Sequence, residues 1–157
     1  MRVFFLLIFN LTFVSLWAQC DSIPPLNLQI QKLAKKSMGK KIGTGECWDL
    51  AKMVLNQTQA EWDGYLNFGQ VVRKGECIFP GDVIQFEKVE IELDKGNQVL
   101  FEKMYHHTAI VYEVLSEDEV VLINQNTGYT GKKVGTSSLV FSSIKKGTYI
   151  IYRPQKK

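Results

Sequence analysis

Histidine is almost missing from this 157-residue chain, and cysteine is scarce, with two of the former and three of the latter. No two cysteines form a C-x-x-C pair and no Cys/His cluster occurs, so a structural zinc site has no ligand set to draw on. No metal or other cofactor is therefore expected. An excess of one charge is also lacking: the net charge of +3 carries no electrostatic footprint for nucleic acid. No apolar run reaches the roughly 20 residues that a membrane-spanning helix requires. Internal repeats and low-complexity tracts are absent, which leaves one globular domain of ordinary size.

The longest apolar stretch is at the front. Residues 1–18, MRVFFLLIFNLTFVSLWA, carry one early positive charge at Arg2, a Phe- and Leu-rich body interrupted by Asn10 and Thr12, and a small residue, Ala18, before Gln19. That is the build of a secretory signal peptide. The domain is accordingly expected to span 19–157 and to be secreted or periplasmic. A competing reading makes Cys20 the lipidated first residue of an anchored lipoprotein, although Gln19 is a poor fit to the small residue such processing expects. Three thiols cannot all pair in an oxidising compartment. One arrangement joins Cys20 to Cys77 and leaves Cys47 free, and the other pairings stay open.

Behind the leader the chain divides into a helical front and a strand-rich back. In residues 26–38, LNLQIQKLAKKSM, the apolar Leu26, Ile30, Leu33 and Ala34 recur at helical spacing, and Gly39 ends the run. In GTGECWDLAKMVL the spacing of Cys47, Leu50, Ala51, Val54 and Leu55 puts the thiol on the apolar face of a second helix, at its head. Residues 56–79 read as loop. From Pro80 the period becomes two: PGDVIQFEKVEIEL, a turn at DKGN, NQVLFEKMY, HTAIVYEV, VVLIN and TYIIYR predict about five to six antiparallel strands. Two helices followed by such a run define an α+β layer, helices packed on one face of a sheet.

Four motifs in this order, GECWDLA, PGDVIQFE, HHTAIV and a polar INQN ending a strand, resemble the papain-like amidases of the CHAP and NlpC/P60 groups. Together with the closing IYRP they are most similar to the cysteine-proteinase-fold domain at the C-terminus of fungal actin-patch proteins that interact with myosin tails. The resemblance implies a papain-like fold and a thiol hydrolase acting on a peptide or other amide-containing substrate, with peptidoglycan as the case for a bacterial source. A papain-like scaffold that binds peptide or glycan in the cleft without chemistry is the alternative.

The chemistry needs a thiolate, which a helix N-terminus and a neighbouring imidazolium both favour, and a base that later protonates the leaving amine. Strand alternation allows only one of His106 and His107 to face Cys47. His107 is expected there, because small Ala109 shares its face and because the family motif puts its histidine directly before T-A-I-V; His106 is expected at the substrate rim. A third group must orient the imidazole. Asn124 falls where the CHAP pattern has a glutamate and is the expected orienter, with Gln125 and Asn126 as rivals. Glu46 stands where CHAP sequences often have glutamine, so backbone amides near Cys47 would have to form the oxyanion hole. Trp48 is expected in the core or the cleft wall, and Asp82 in a turn.

Overall fold

The computed structural model describes residues 20, 22–94 and 99–157. The expected signal peptide and residues 95–97 of the expected hairpin turn lie outside the described residues. Helix α1, Pro25–Lys36, begins on a proline, whose fixed φ suits the first helical turn, and its basic Lys35 and Lys36 lie in the last turn where the dipole favours them. Helix α2 is Cys47–Gln57. Its head is tied down by Asp49, which accepts from the backbone N–H groups of Thr44 and Glu46 at 2.9 and 3.1 Å and from the Thr44 hydroxyl at 2.7 Å. Burial would raise the Asp49 carboxyl, but these hydrogen bonds outweigh it and hold the group below its ordinary range. Gly43 is required beside it: its φ is 57° and a Cβ would fall 2.7 Å from the Asp49 carboxyl carbon.

The strands are β1 (Ala60–Glu61), β2 (Gln70–Val71), β3 (Val83–Asp94), β4 (Val99–Val114), β5 (Glu119–Asn124), β6 (Gly135–Val140), β7 (Ile144–Arg153) and β8 (Gln155–Lys156). Six of them form one antiparallel sheet in the order β2-β7-β3-β4-β5-β6, and β1 pairs with β8. The segment read from sequence as loop, 56–79, thus contributes two short edge strands. β6 was not expected because GTSSLV has no hydrophobic alternation to announce it.

The register separates two cores. Val83, Ile110 and Ile123 face the helices, packing with Ile30, Ala34, Leu50, Ala51, Val54 and Leu55. The residues one step along, Ile84, Ala109 and Leu122, turn to the other face with Phe86, Val111 and Ile151. On β3 the alternation is reset once. Lys88 adopts φ 52°, the β3–β7 register shifts between Glu87 and Glu90, and Val89 and Ile91 join the face that already holds Ile84 and Phe86. Gly147 allows this bulge to pack, since a Cβ there would meet the Lys88 carbonyl oxygen at 2.4 Å.

A disulfide joins Cys20 to Cys77 across 57 positions, and Cys47 is free. Closing a loop of that length stabilises the fold by about 4 kcal/mol in the chain-entropy account. Reduction is therefore expected to lower the unfolding free energy by that amount and to move the urea midpoint down in proportion. A midpoint unchanged by reductant, with mass spectrometry confirming the free thiols, would show that the crosslink contributes nothing.

Candidate active site

Cys47 is the first residue of α2, half-buried, with its Sγ 3.9 Å from the backbone carbonyl oxygen of His106. The turn before it is locked by Gln125. This buried amide accepts from the N–H of Ile42 at 3.2 Å and donates to the carbonyls of Ile42 at 3.0 Å and Glu46 at 2.7 Å. Glu46 points its carboxylate at the loop after β5, where it pairs with Lys132 and accepts from Asn126 Nδ2 at 2.8 Å. Its charge is therefore met by a cation. Trp48 packs against Trp62 with centroids 6.5 Å apart and lies under Lys52 Nζ, 4.8 Å from its ring.

His107 is turned away from the thiol, contrary to expectation, while His106 is exposed at the rim as expected. On β4, His106 shares a face with Thr108 and Ile110, and Ile110 packs on the helices; His107 shares the other face with Ala109. Small Ala109 makes room for the second core, not for α2. His107 is 5 % exposed, lies beside Phe86 with ring centroids 6.2 Å apart, and makes no hydrogen bond to Cys47. Asn124 is on that face too, donating to Ser137 Oγ at 3.0 Å. Neither His107 nor Asn124 is brought to the thiol. Gln125 and Asn126 are, but each is engaged with the turn that carries Cys47 and neither orients a histidine.

The imidazole on the thiol's side has a different orienter. His106 Nδ1 is 2.5 Å from Glu87 Oε2, its cross-strand partner on β3. Glu87 is itself held: Gln85 Nε2 donates to Glu87 Oε1 at 3.0 Å, and Gln85 Oε1 accepts from the Thr108 hydroxyl at 2.6 Å. With Nδ1–H committed to the carboxylate, the tautomer is fixed and Nε2 keeps its lone pair for a proton. The His106 side chain is 71 % exposed, so it stands at the rim with its ring open to a substrate. Glu87 and Gln85 were missed in the sequence, although QFE in PGDVIQFE already puts them on one face of a strand. Among the described residues, no group of three metal-ligating side chains occurs.

His107 is a stability determinant. Burial lowers its pKa from 6.5 to about 4, so the folded protein keeps the ring neutral. The unfolded chain binds the proton first. Stability is full above pH 6.5 and is lost as pH falls through the window from 6.5 to about 4, by about 3 kcal/mol for this group. His107→Gln should flatten that part of the profile in urea melts at pH 7.5 and 4.5; a wild-type profile retained in the variant would rule out the assignment.

A thiol at a helix head, packed against an antiparallel sheet whose strand β4 brings the His106 carbonyl to it, is the arrangement of the papain-like cysteine-proteinase fold. Residues 27–157 match the AIM3/BBC1 cysteine proteinase-fold domain, and the chain belongs to that family. Among solved structures it is similar to NlpC2 from Trichomonas vaginalis, at 19 % identity and TM-score 0.53 over 89 % of this chain and 50 % of that one. It is also similar to Ly7917 with the hydrolyzing product of MDP, at 16 % identity and TM-score 0.50 over 82 % and 62 %. The chain thus spans between half and two thirds of these neighbours, and at such identities the likeness is one of fold. No curated protein sequence matches the chain.

Proposed function

We propose that the protein is a secreted thiol hydrolase of amide or peptide bonds, with Cys47 as nucleophile, His106 in place of the expected His107 as base, and Glu87 as the residue that positions His106. The observation that carries this reading is a free thiol at a helix head beside the backbone of His106, whose side chain is on the helix-facing side of β4 with its ring clamped by Glu87. The thiol proton passes to His106 Nε2 as Sγ attacks the carbonyl carbon. The first backbone N–H groups of α2, which have no partner within the helix, stabilise the oxyanion. The imidazolium returns its proton to the departing amine, leaving a thioester on Cys47. Water, deprotonated by the same ring, then releases the acid and restores the thiol. The Cys20–Cys77 disulfide supports an oxidising destination after loss of residues 1–18.

MDP, muramyl dipeptide, is the first substrate to try, since the hydrolyzing product of MDP is bound in one protein of similar fold. Mass spectrometry of MDP incubated with the protein should show cleavage that Cys47→Ala abolishes. Cleavage that persists in Cys47→Ala would sink the nucleophile assignment. One observation favours the scaffold alternative: the thiol's hydrogen bond runs to a carbonyl rather than to an imidazole. Saturable MDP binding without turnover or a covalent acyl intermediate would select it.

A further inference from the structure

The face of the sheet away from the helices carries its own pocket, of about 360 Å³, at the small end of the range for small-molecule sites. Two polar side chains of its lining are buried with one atom unmet. His107, 5 % exposed, has no hydrogen-bond partner for Nε2, and Asn124, 1 % exposed, has none for Oδ1. Ser137 Oγ engages the amide nitrogen of Asn124 at 3.0 Å and so fixes its carbonyl end as the unmet one. Buried polar atoms are nearly always paired, because one left unmet forfeits its solvation. Two in a single pocket call for an occupant.

The register sets how far apart these atoms stand. Ile110 pairs with Ile123 and Val111 with Leu122, which puts Asn124 level with Ala109, two residues from His107 on the same face. Diagonal neighbours of this kind are roughly 7–8 Å apart, so an occupant meets them with two separate polar groups. Everything polar at this end is neutral: burial keeps the His107 ring uncharged, Asn124 and Ser137 carry no charge, and among the described residues no lysine or arginine lines the pocket. The Glu102 carboxyl stands five residues along β4 from His107, across from Ile91 at the hydrocarbon end. Asn124 Oδ1 needs a donor, and the imidazole nitrogen needs a donor or an acceptor according to its tautomer. A hydroxyl serves as both. Two hydroxyls on one neutral body therefore satisfy the pair in either tautomer, without the desolvation cost of bringing in a charge. Around them the walls are apolar, with Leu122 and Leu139 inside and the Tyr129 ring, 63 % exposed, at the rim. The turn that presents Tyr129 is pinned by Thr127, whose hydroxyl accepts from the N–H of Thr130 at 3.0 Å and whose carbonyl accepts from that of Gly131 at 2.9 Å.

We propose that this pocket binds a neutral polyhydroxylated compound of monosaccharide size, two of its hydroxyls meeting Asn124 Oδ1 and His107 Nε2 and its C–H face lying against the apolar walls and Tyr129. The site lies on the opposite face of β4 from Cys47 and stands independently of the hydrolase reading. It also accounts for a buried histidine and asparagine that the thiol chemistry does not use.

The test is NMR titration of the full folded protein, ¹⁵N-labelled, at pH 6.5 with D-glucose, D-galactose and N-acetyl-D-glucosamine. Two further probes keep the six-membered body: cyclohexanol, with one hydroxyl, and D-glucosamine, with an ammonium. At least one of the neutral sugars should bind saturably and move the His107 ring ¹⁵N and Asn124 side-chain amide signals together. Cyclohexanol should bind about tenfold more weakly, the worth of one hydrogen bond, and D-glucosamine no more tightly than D-glucose. Asn124→Leu should weaken the sugar by about tenfold as well. Tyr129→Ala, on an exposed side chain, should weaken it by about threefold through the lost ring contact and leave the urea midpoint unchanged. Should Asn124→Leu fail to fold, Tyr129→Ala and the ¹⁵N shifts carry the test. Cyclohexanol bound as tightly as the sugars, D-glucosamine preferred over D-glucose, sugar binding indifferent to Tyr129→Ala, or no saturable binding of any neutral sugar would overturn the proposal and leave the orphan atoms to water.

Discussion

Asp82→Ala is expected to lower the unfolding free energy by about 3–5 kcal/mol, the cost of removing one member of a buried ion pair. The Asp82 side chain is wholly buried and ties three elements together. It accepts from Asn27 Nδ2 of α1 at 2.7 Å, from the N–H of Phe79 at 2.8 Å, and from Arg153 of β7 through Nε at 3.2 Å and Nη2 at 2.9 Å. Burial pushes its carboxyl above the ordinary range against the pull of those partners, so the pair as a whole contributes less than the loss of one half removes. The alanine variant strands a guanidinium, an amide and a backbone N–H together. Urea unfolding measures it, and a loss under about 1 kcal/mol would show that water satisfies all three.

The second large effect is on turnover. His106→Ala should lower the hydrolysis rate by about 10²–10⁴-fold, the usual contribution of a positioned general base. His107→Ala should leave the rate near that of the wild type at pH 7.5, at the expense of stability, because its ring is on the other face of the sheet with Phe86. Glu87→Gln should act between the two: the amide can still orient Nδ1–H but adds no charge to the imidazolium. Steady-state kinetics on a cleaved peptide separates the three. A His107→Ala variant as damaged as His106→Ala, with its fold intact, would place the chemistry on the wrong histidine.

These expectations show what in the chain was legible before the fold was known. The helix faces were, because Ile30, Ala34, Leu50, Ala51, Val54 and Leu55 sit at spacings that only one packing surface satisfies, and all of them are buried there. Cys47 at the head of α2 followed from the same spacing. The alternation of β4 was read correctly as a pattern and assigned to the wrong side. Nothing local distinguishes the face of Ala109 from the face of Ile110 when both are buried, and only pairing with Val83 and Ile123 shows which one meets the helices. Asn124 followed His107 to the far face for the same reason. Glu87 could not be weighed without the register that sets it across from His106. Asp82 read as a turn residue because the turn is local, while Asn27 and Arg153 lie 55 and 71 positions away.

The central claim is that Cys47 works with His106 and not with His107, and one measurement addresses it without needing a substrate. It is the rate of Cys47 alkylation by iodoacetamide at pH 6.5, followed by intact mass in the wild type, His106→Ala and His107→Ala with the Cys20–Cys77 disulfide kept closed. An imidazolium next to a thiol promotes the reactive thiolate. His106→Ala should therefore slow the modification by about tenfold or more, while His107→Ala leaves it within about twofold of the wild type. Slowing by His107→Ala alone would contradict the account and return the base to the buried ring.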